Sequence, residues 1–156
     1  MSGNLFGATR AFTLIEVIIV LGFLVAGAAL SLMVSMDTYR GTSFRSERNL
    51  LIAALEHVRS QAVNAVCLGS CTDAASHGVE ITPLAYVIFQ GQAYASRDAL
   101  FDDPVSASPR IAHSGSLEIV FTPYSGTSTG GTITLSDEAG HMSEILVSSF
   151  GQITWY

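Results

Sequence analysis

The chain contains no lysine: all of its seven basic residues are arginine, set against thirteen acidic ones, for a formal net charge of −6. Neutralising phosphates needs spare positive charge, so general nucleic-acid binding is disfavoured. Cysteine is scarce, and Cys67 and Cys71 alone make neither a zinc site nor a disulfide framework. Charged residues are only 13% of the 156, about half the usual share of a soluble chain. Proline is absent before residue 83. No nucleophile elbow, P-loop, dinucleotide fingerprint or HExxH is present, and Gly130-Gly131 is followed by neither a helix start nor a lysine, so it reads as a hairpin turn rather than a phosphate cradle. These absences argue against an enzyme, a metal centre and a cofactor. What the chain has in quantity is apolar side chains, 49% of the whole. That is too much for disorder, and the length is that of one ordinary domain.

The apolar excess sits near the start. Val17–Met36 holds no charge and only Ser31 and Ser35 as clearly polar residues. At about 1.5 Å per residue it spans roughly the 30 Å of a bilayer core. Gly22 and Gly27 are tolerated in such helices. A secretory signal would have a shorter apolar core and a small-x-small cut site. The preceding Met1–Ala11 carries Arg10 and no acid, which holds the N-terminus in the cytoplasm and sends the rest outward. One carboxylate, Glu16, stands within the apolar segment. A charge there costs about 2.5–3.5 kcal/mol on insertion scales and needs a partner or a task.

Helical spacing then continues through Asp37–Val66, with Phe44, Leu51, Leu55, Val58, Ala62 and Val66 on one stripe and Asn49, Glu56, Ser60 and Asn64 opposite. Asp37/Arg40 and Glu56/Arg59 are i,i+3 pairs on an exposed face. The first half of this helix needs a membrane or a filament core, and the second needs a sheet. Gly69 and the polar residues after it end the helix. Cys67 and Cys71 are either a short-loop disulfide, if this part is exported, or two small unpaired side chains near a helix end. The period then changes to that of strands at Val79–Thr82, Leu84–Gln90, Gln92–Ala95, Leu117–Thr122, Gly131–Ser136, Glu144–Ser149 and Gln152–Tyr156. Ser96–Ser116 reads as a polar connection and Pro123–Gly130 as turn chemistry. His57 reads as solvated on the helix, and His77, His113 and His141 fall in loops. His141 beside Asp137 and Glu138 reads as a polar turn, since no second His or Cys accompanies it. Asp102-Asp103 reads as a solvated loop rather than a calcium site. Phe150, Trp155 and Tyr156 read as core or edge cover.

Ala11-Phe12-Thr13-Leu14-Ile15-Glu16 resembles the class III leader junction of type IV prepilins and type II secretion pseudopilins. The resemblance implies cleavage between Ala11 and Phe12 by a membrane prepilin peptidase and N-methylation of Phe12. It makes Glu16 the fifth residue of the mature chain, pairing with the N-terminal amine of a neighbouring subunit in a filament. The family usually has glycine before the cut; here it is Ala11. Many major pilins carry a proline in the apolar helix, and its absence here favours a minor or pseudopilin-like subunit. Arg59-Ser60-Gln61-Ala62-Val63, Phe121-Thr122-Pro123, Gly130-Gly131-Thr132-Ile133-Thr134-Leu135, Ile145-Leu146-Val147-Ser148-Ser149 and Gly151 are similar in order and spacing to the GspH/FimT pseudopilins and minor pilins.

The expectation is therefore an α+β, pilin-like fold: a leader at 1–11, a membrane or filament-core half-helix at 12–36, an amphipathic half at 37–66, and a loop and β-rich domain at 67–156, as an antiparallel sheet or sandwich. The implied role is structural, in a type IV pilus or type II pseudopilus. The implied partners are other pilin subunits through the N-terminal helix, the prepilin peptidase, an inner-membrane assembly platform, and the lipid bilayer before assembly. The implied location is the cytoplasmic membrane, with the β domain outside. The alternatives are a DNA-uptake minor pilin and an uncleaved single-pass membrane protein. Against the first, Gly151-Gln152-Ile153-Thr154 lacks the arginines of the Gly-Arg-x-Arg pattern in that branch, so nucleic acid is not an expected partner.

Overall fold

The structure, a computed structural model, describes residues 13–71 and 73–156, and within its long helix the side chains outside 31–38. The chain divides into two compact units, one running to Tyr39 and one from Arg40 to Tyr156. The helix α1 is Leu14–Val63. Its first turn is held by Thr13, whose Oγ1 and carbonyl oxygen both accept from the Glu16 N–H, at 3.4 and 3.1 Å. Thr13 three residues before Glu16 is the spacing of a capping box, and an acid in the first turn suits the helix dipole.

The helix ends three residues before the expected Val66. Val66 N–H bonds Gln61 O at 3.0 Å and Ala65 N–H bonds Ala62 O at 3.0 Å, the two bonds of a Schellman stop. Ala65 takes φ +49° there, a conformation that favours glycine and costs other residues about 1–2 kcal/mol. Because Ala65 is not a glycine, the stop is not visible in the sequence before Gly69.

Beyond the helix are eight strands: β1 His77–Ile81, β2 Ala85–Gln90, β3 Asp103–Ser106, β4 Ile111–Gly115, β5 Glu118–Phe121, β6 Gly131–Asp137, β7 Met142–Val147 and β8 Ile153–Trp155. They form two antiparallel sheets, ordered β3-β2-β1-β5 and β4-β6-β7-β8. The core is the helix stripe Phe44, Leu51, Leu55, Val58 and Ala62 joined to inward residues of both sheets, among them Val79, Ile119, Leu135 and Ile145. Val66 is only half-buried, beyond the helix end. Glu56 and Arg59 pair at 3.8 Å on the exposed face; the Asp37 side chain lies outside the described residues.

Two expectations fail between β2 and β5. Gln92–Ala95 is not a strand; a 3₁₀ turn at Tyr94–Ser96 takes its place. Ser96–Ser116 is not a featureless connection, since it holds a second 3₁₀ turn, Ala99–Phe101, and the strands β3 and β4. The region is polar because its polar groups satisfy one another. Arg97 Nε contacts both Asp102 carboxylate oxygens at 2.9 Å, Nη1 donates to Tyr94 O at 2.7 Å, and the guanidinium lies 3.5 Å from the Tyr94 ring centre. Tyr94 in turn packs edge-on to Phe89 at 5.5 Å, which covers the outer face of the first sheet. Gly78 is required beneath Phe89, because a Cβ there would run into that ring. His77 and His113 are not loop residues: they lie in β1 and β4. Phe150 and Tyr156 are exposed, and Trp155 is half-exposed, rather than core.

Candidate functional site

In the first unit, every described side chain from Leu14 to Leu30 is exposed, with Leu14 at 79% and Phe23 at 76%. A continuous apolar surface of this kind marks a contact with other protein or with a membrane. Glu16 is the one acidic residue on this stretch and stands in its first turn. Ala11 and Phe12 lie outside the described residues. Among the described residues no helix is long and apolar enough to cross a membrane. The expected segment Val17–Met36 runs into residues 31–38, whose side chains are not described.

The second unit holds a polar cluster that the sequence reading passed over. Glu47 is on the buried stripe of α1, only 8% exposed. Its Oε1 accepts from the Tyr86 hydroxyl at 2.8 Å and the Ser108 N–H at 3.0 Å. The Tyr86 oxygen lies 2.8 Å from His113 Nε2. Tyr86 has one proton and gives it to Glu47, so His113 donates from Nε2 and keeps Nδ1 as its acceptor. The rings meet edge-on at 5.4 Å. This chain of bonds ties α1 to a strand of each sheet. Burial, then the Glu47 hydrogen bond and charge, push the Tyr86 pKa far up, so its proton stays. Burial lowers the His113 pKa and the Glu47 charge opposes that. His113 also lines a cleft of about 540 Å³ between the sheets, together with Ile81, Ile111, Leu117, Arg110 and Glu138. The signal for Glu47 was present: it falls three residues after Phe44 and four before Leu51, on the apolar stripe.

Cys67 and Cys71 are joined in a disulfide, with Cα atoms 6.0 Å apart. The loop they close is gripped by the Gln90 amide, which accepts from Leu68 N–H at 2.6 Å and donates to Leu68 O at 3.2 Å. The expected site residues are not one constellation, since Glu16 belongs to the first unit and the disulfide to the second. His57 is exposed and 3.1 Å from Gln61 Nε2. His141 Nδ1 pairs with Asp137 Oδ2 at 2.7 Å, and no group of three or more potential metal ligands occurs among the described residues. Asp102 is engaged by Arg97, and Asp103 opens β3.

No curated protein matches the chain. A solved structure, the minor pseudopilin EpsH from the type 2 secretion system of Vibrio cholerae, aligns with a TM-score of 0.49 at 10% identity over 71% of this chain and 93% of that one. The family model described as type II transport protein GspH matches residues 47–151, from the buried Glu47 to the turn before β8. The chain belongs to the GspH family of type II transport proteins.

Proposed function

We propose that this chain is a minor, prepilin-type subunit of a type II secretion pseudopilus, held in the cytoplasmic membrane until cut after Ala11 and then assembled through its N-terminal helix. The observation that carries the reading is the exposed apolar surface of Leu14–Leu30 with Glu16 in its first turn. Apolar side chains exposed on all sides of a helix need lipid or other apolar helices around them. A carboxylate in that setting needs a cation beside it, because low dielectric strengthens the attraction and penalises an unpaired charge. The new amine of Phe12 on a neighbouring subunit would supply the cation once the leader is removed. Thr13 caps the start of that helix, so Glu16 is presented in its first turn. The domain from Arg40 onward would stand outside the membrane and set what the pseudopilus touches there, and the assembly platform would act on the helix.

Expression of the full chain with and without an active prepilin peptidase, followed by intact-mass measurement, tests this. The reading expects loss of residues 1–11 and one added methyl on Phe12. Retention of residues 1–11 with active peptidase present would favour an uncleaved membrane protein.

A further inference from the structure

His77 opens β1 and is fully buried; neither ring nitrogen has a hydrogen-bond partner of good geometry, and the Ala75 backbone is near enough to act on the ring. A buried polar side chain left in this state requires an explanation. Its position follows from register. His77 alternates with Val79 and Ile81, whose side chains are in the shared core, so it faces that core too. The residue opposite on β2 is Gln90 and the one opposite on β5 is Phe121. Neither is charged, and the Gln90 amide is already spent on Leu68 and the disulfide loop. The titratable group acting on His77 from α1 is His57, and it disfavours a proton on His77. Among the described residues no carboxylate acts on the ring to receive an imidazolium. Burial therefore holds the His77 pKa below the ordinary value, with the nearby Ala75 backbone opposing and His57 adding to the fall.

We propose that His77 is an acid-sensitive release for the C-terminal end of α1 and the Cys67–Cys71 loop. The neutral ring fits among apolar neighbours. A proton on it creates a buried cation with only the Ala75 backbone to meet it and no carboxylate among the groups acting on it, which the region relieves by opening and letting water reach the ring. The neighbours that open are Gln90, opposite His77 on β2, which grips the loop through Leu68, and the turn of α1 bearing His57. The direction follows from linkage. A group whose folded-state pKa is depressed contributes stability above its unfolded value, about 6.5 for histidine, and that contribution is lost as pH falls through the folded value. One such proton changes the opening equilibrium about tenfold per pH unit within that window. A chain exposed outside the cytoplasmic membrane would meet such pH changes.

The test is hydrogen exchange on the full chain in detergent micelles at pH 7.5, 6.5 and 5.5, corrected for intrinsic exchange, comparing wild type with His77→Phe. Protection of the Leu68 and Val66 amides should fall in wild type below pH 6.5, by up to about tenfold per unit, and stay flat in His77→Phe. A parallel His113→Asn variant should keep the wild-type fall at Leu68, because His113 lies in the other sheet. Equal pH dependence in wild type and His77→Phe would overturn the proposal. A second readout needs no variant: the His77 ring signals of wild type should stay neutral to well below pH 6.5 and change only as Leu68 loses protection. Titration near 6.5 with Leu68 still protected would overturn it as well.

Discussion

Replacing Tyr86 with phenylalanine removes one oxygen from the middle of the Glu47–Tyr86–His113 chain and leaves the ring in place. Tyr86 is fully buried, so water does not take over the lost bonds. Glu47 Oε1 keeps the Ser108 N–H at 3.0 Å, while His113 Nε2 loses its 2.8 Å partner. A hydrogen bond to a charged group contributes about 1.5–3 kcal/mol and an ordinary one about 1 kcal/mol. Part of this is offset because a buried hydroxyl no longer has to be desolvated, so the expected loss is about 2–3 kcal/mol. For a domain of this size each kcal/mol moves the midpoint by about 3–5 °C, giving a fall of roughly 6–15 °C. Thermal unfolding of the Arg40–Tyr156 fragment, followed by far-ultraviolet circular dichroism, reads it directly. Glu47→Leu completes a double-mutant cycle, and the coupling energy with Tyr86→Phe should reach about 1–3 kcal/mol. A stability change below about 0.5 kcal/mol, the range of surface substitutions, together with no coupling, would refute the idea that this cluster ties helix and sheets together.

Other expectations follow from the same packing. Leu55→Asp places an unpaired charge at a fully buried helix position and should leave the Arg40–Tyr156 fragment unfolded at 25 °C; a cooperative melt within a few degrees of wild type would contradict helix-on-sheet packing. Gly78→Val puts a side chain into the Phe89 ring and should cost about 1–3 kcal/mol in urea unfolding, whereas an unchanged midpoint would mean the outer face is loosely covered. The same fragment should not bind double-stranded DNA at physiological salt; a mobility shift tighter than about 10⁻⁵ M that weakens with added salt would restore the DNA-uptake alternative.

Much of this architecture is legible in the residues because period carries it. The stripe from Phe44 to Ala62 and the alternation of Ile133 and Leu135 mark buried faces directly. Three features were hidden for different reasons. The helix stop uses Ala65 where glycine would have announced it. The strands β3 and β4 are short and carry Pro104, Ser106, His113 and Ser114, so neither shows an apolar run, and their pairing depends on β2 and β6. Glu47, Tyr86 and His113 are far apart in sequence, and each alone reads as an ordinary helix or strand residue; only the fold brings their polar atoms within 2.8 Å of the next. Glu16 stands out as a candidate because a charge in an apolar segment is conspicuous without any tertiary information.

The central claim is that Glu16 serves assembly rather than folding, and filament incorporation of Glu16→Ala tests it most directly. Sheared pseudopili from cells carrying wild type or the variant at equal membrane levels would be probed for the chain. The account predicts a variant that is inserted, is cleaved and keeps the thermal midpoint of its Arg40–Tyr156 unit, yet is depleted from the filament fraction at least tenfold, which corresponds to about 1.4 kcal/mol of lost pairing. Incorporation at the wild-type level would contradict it.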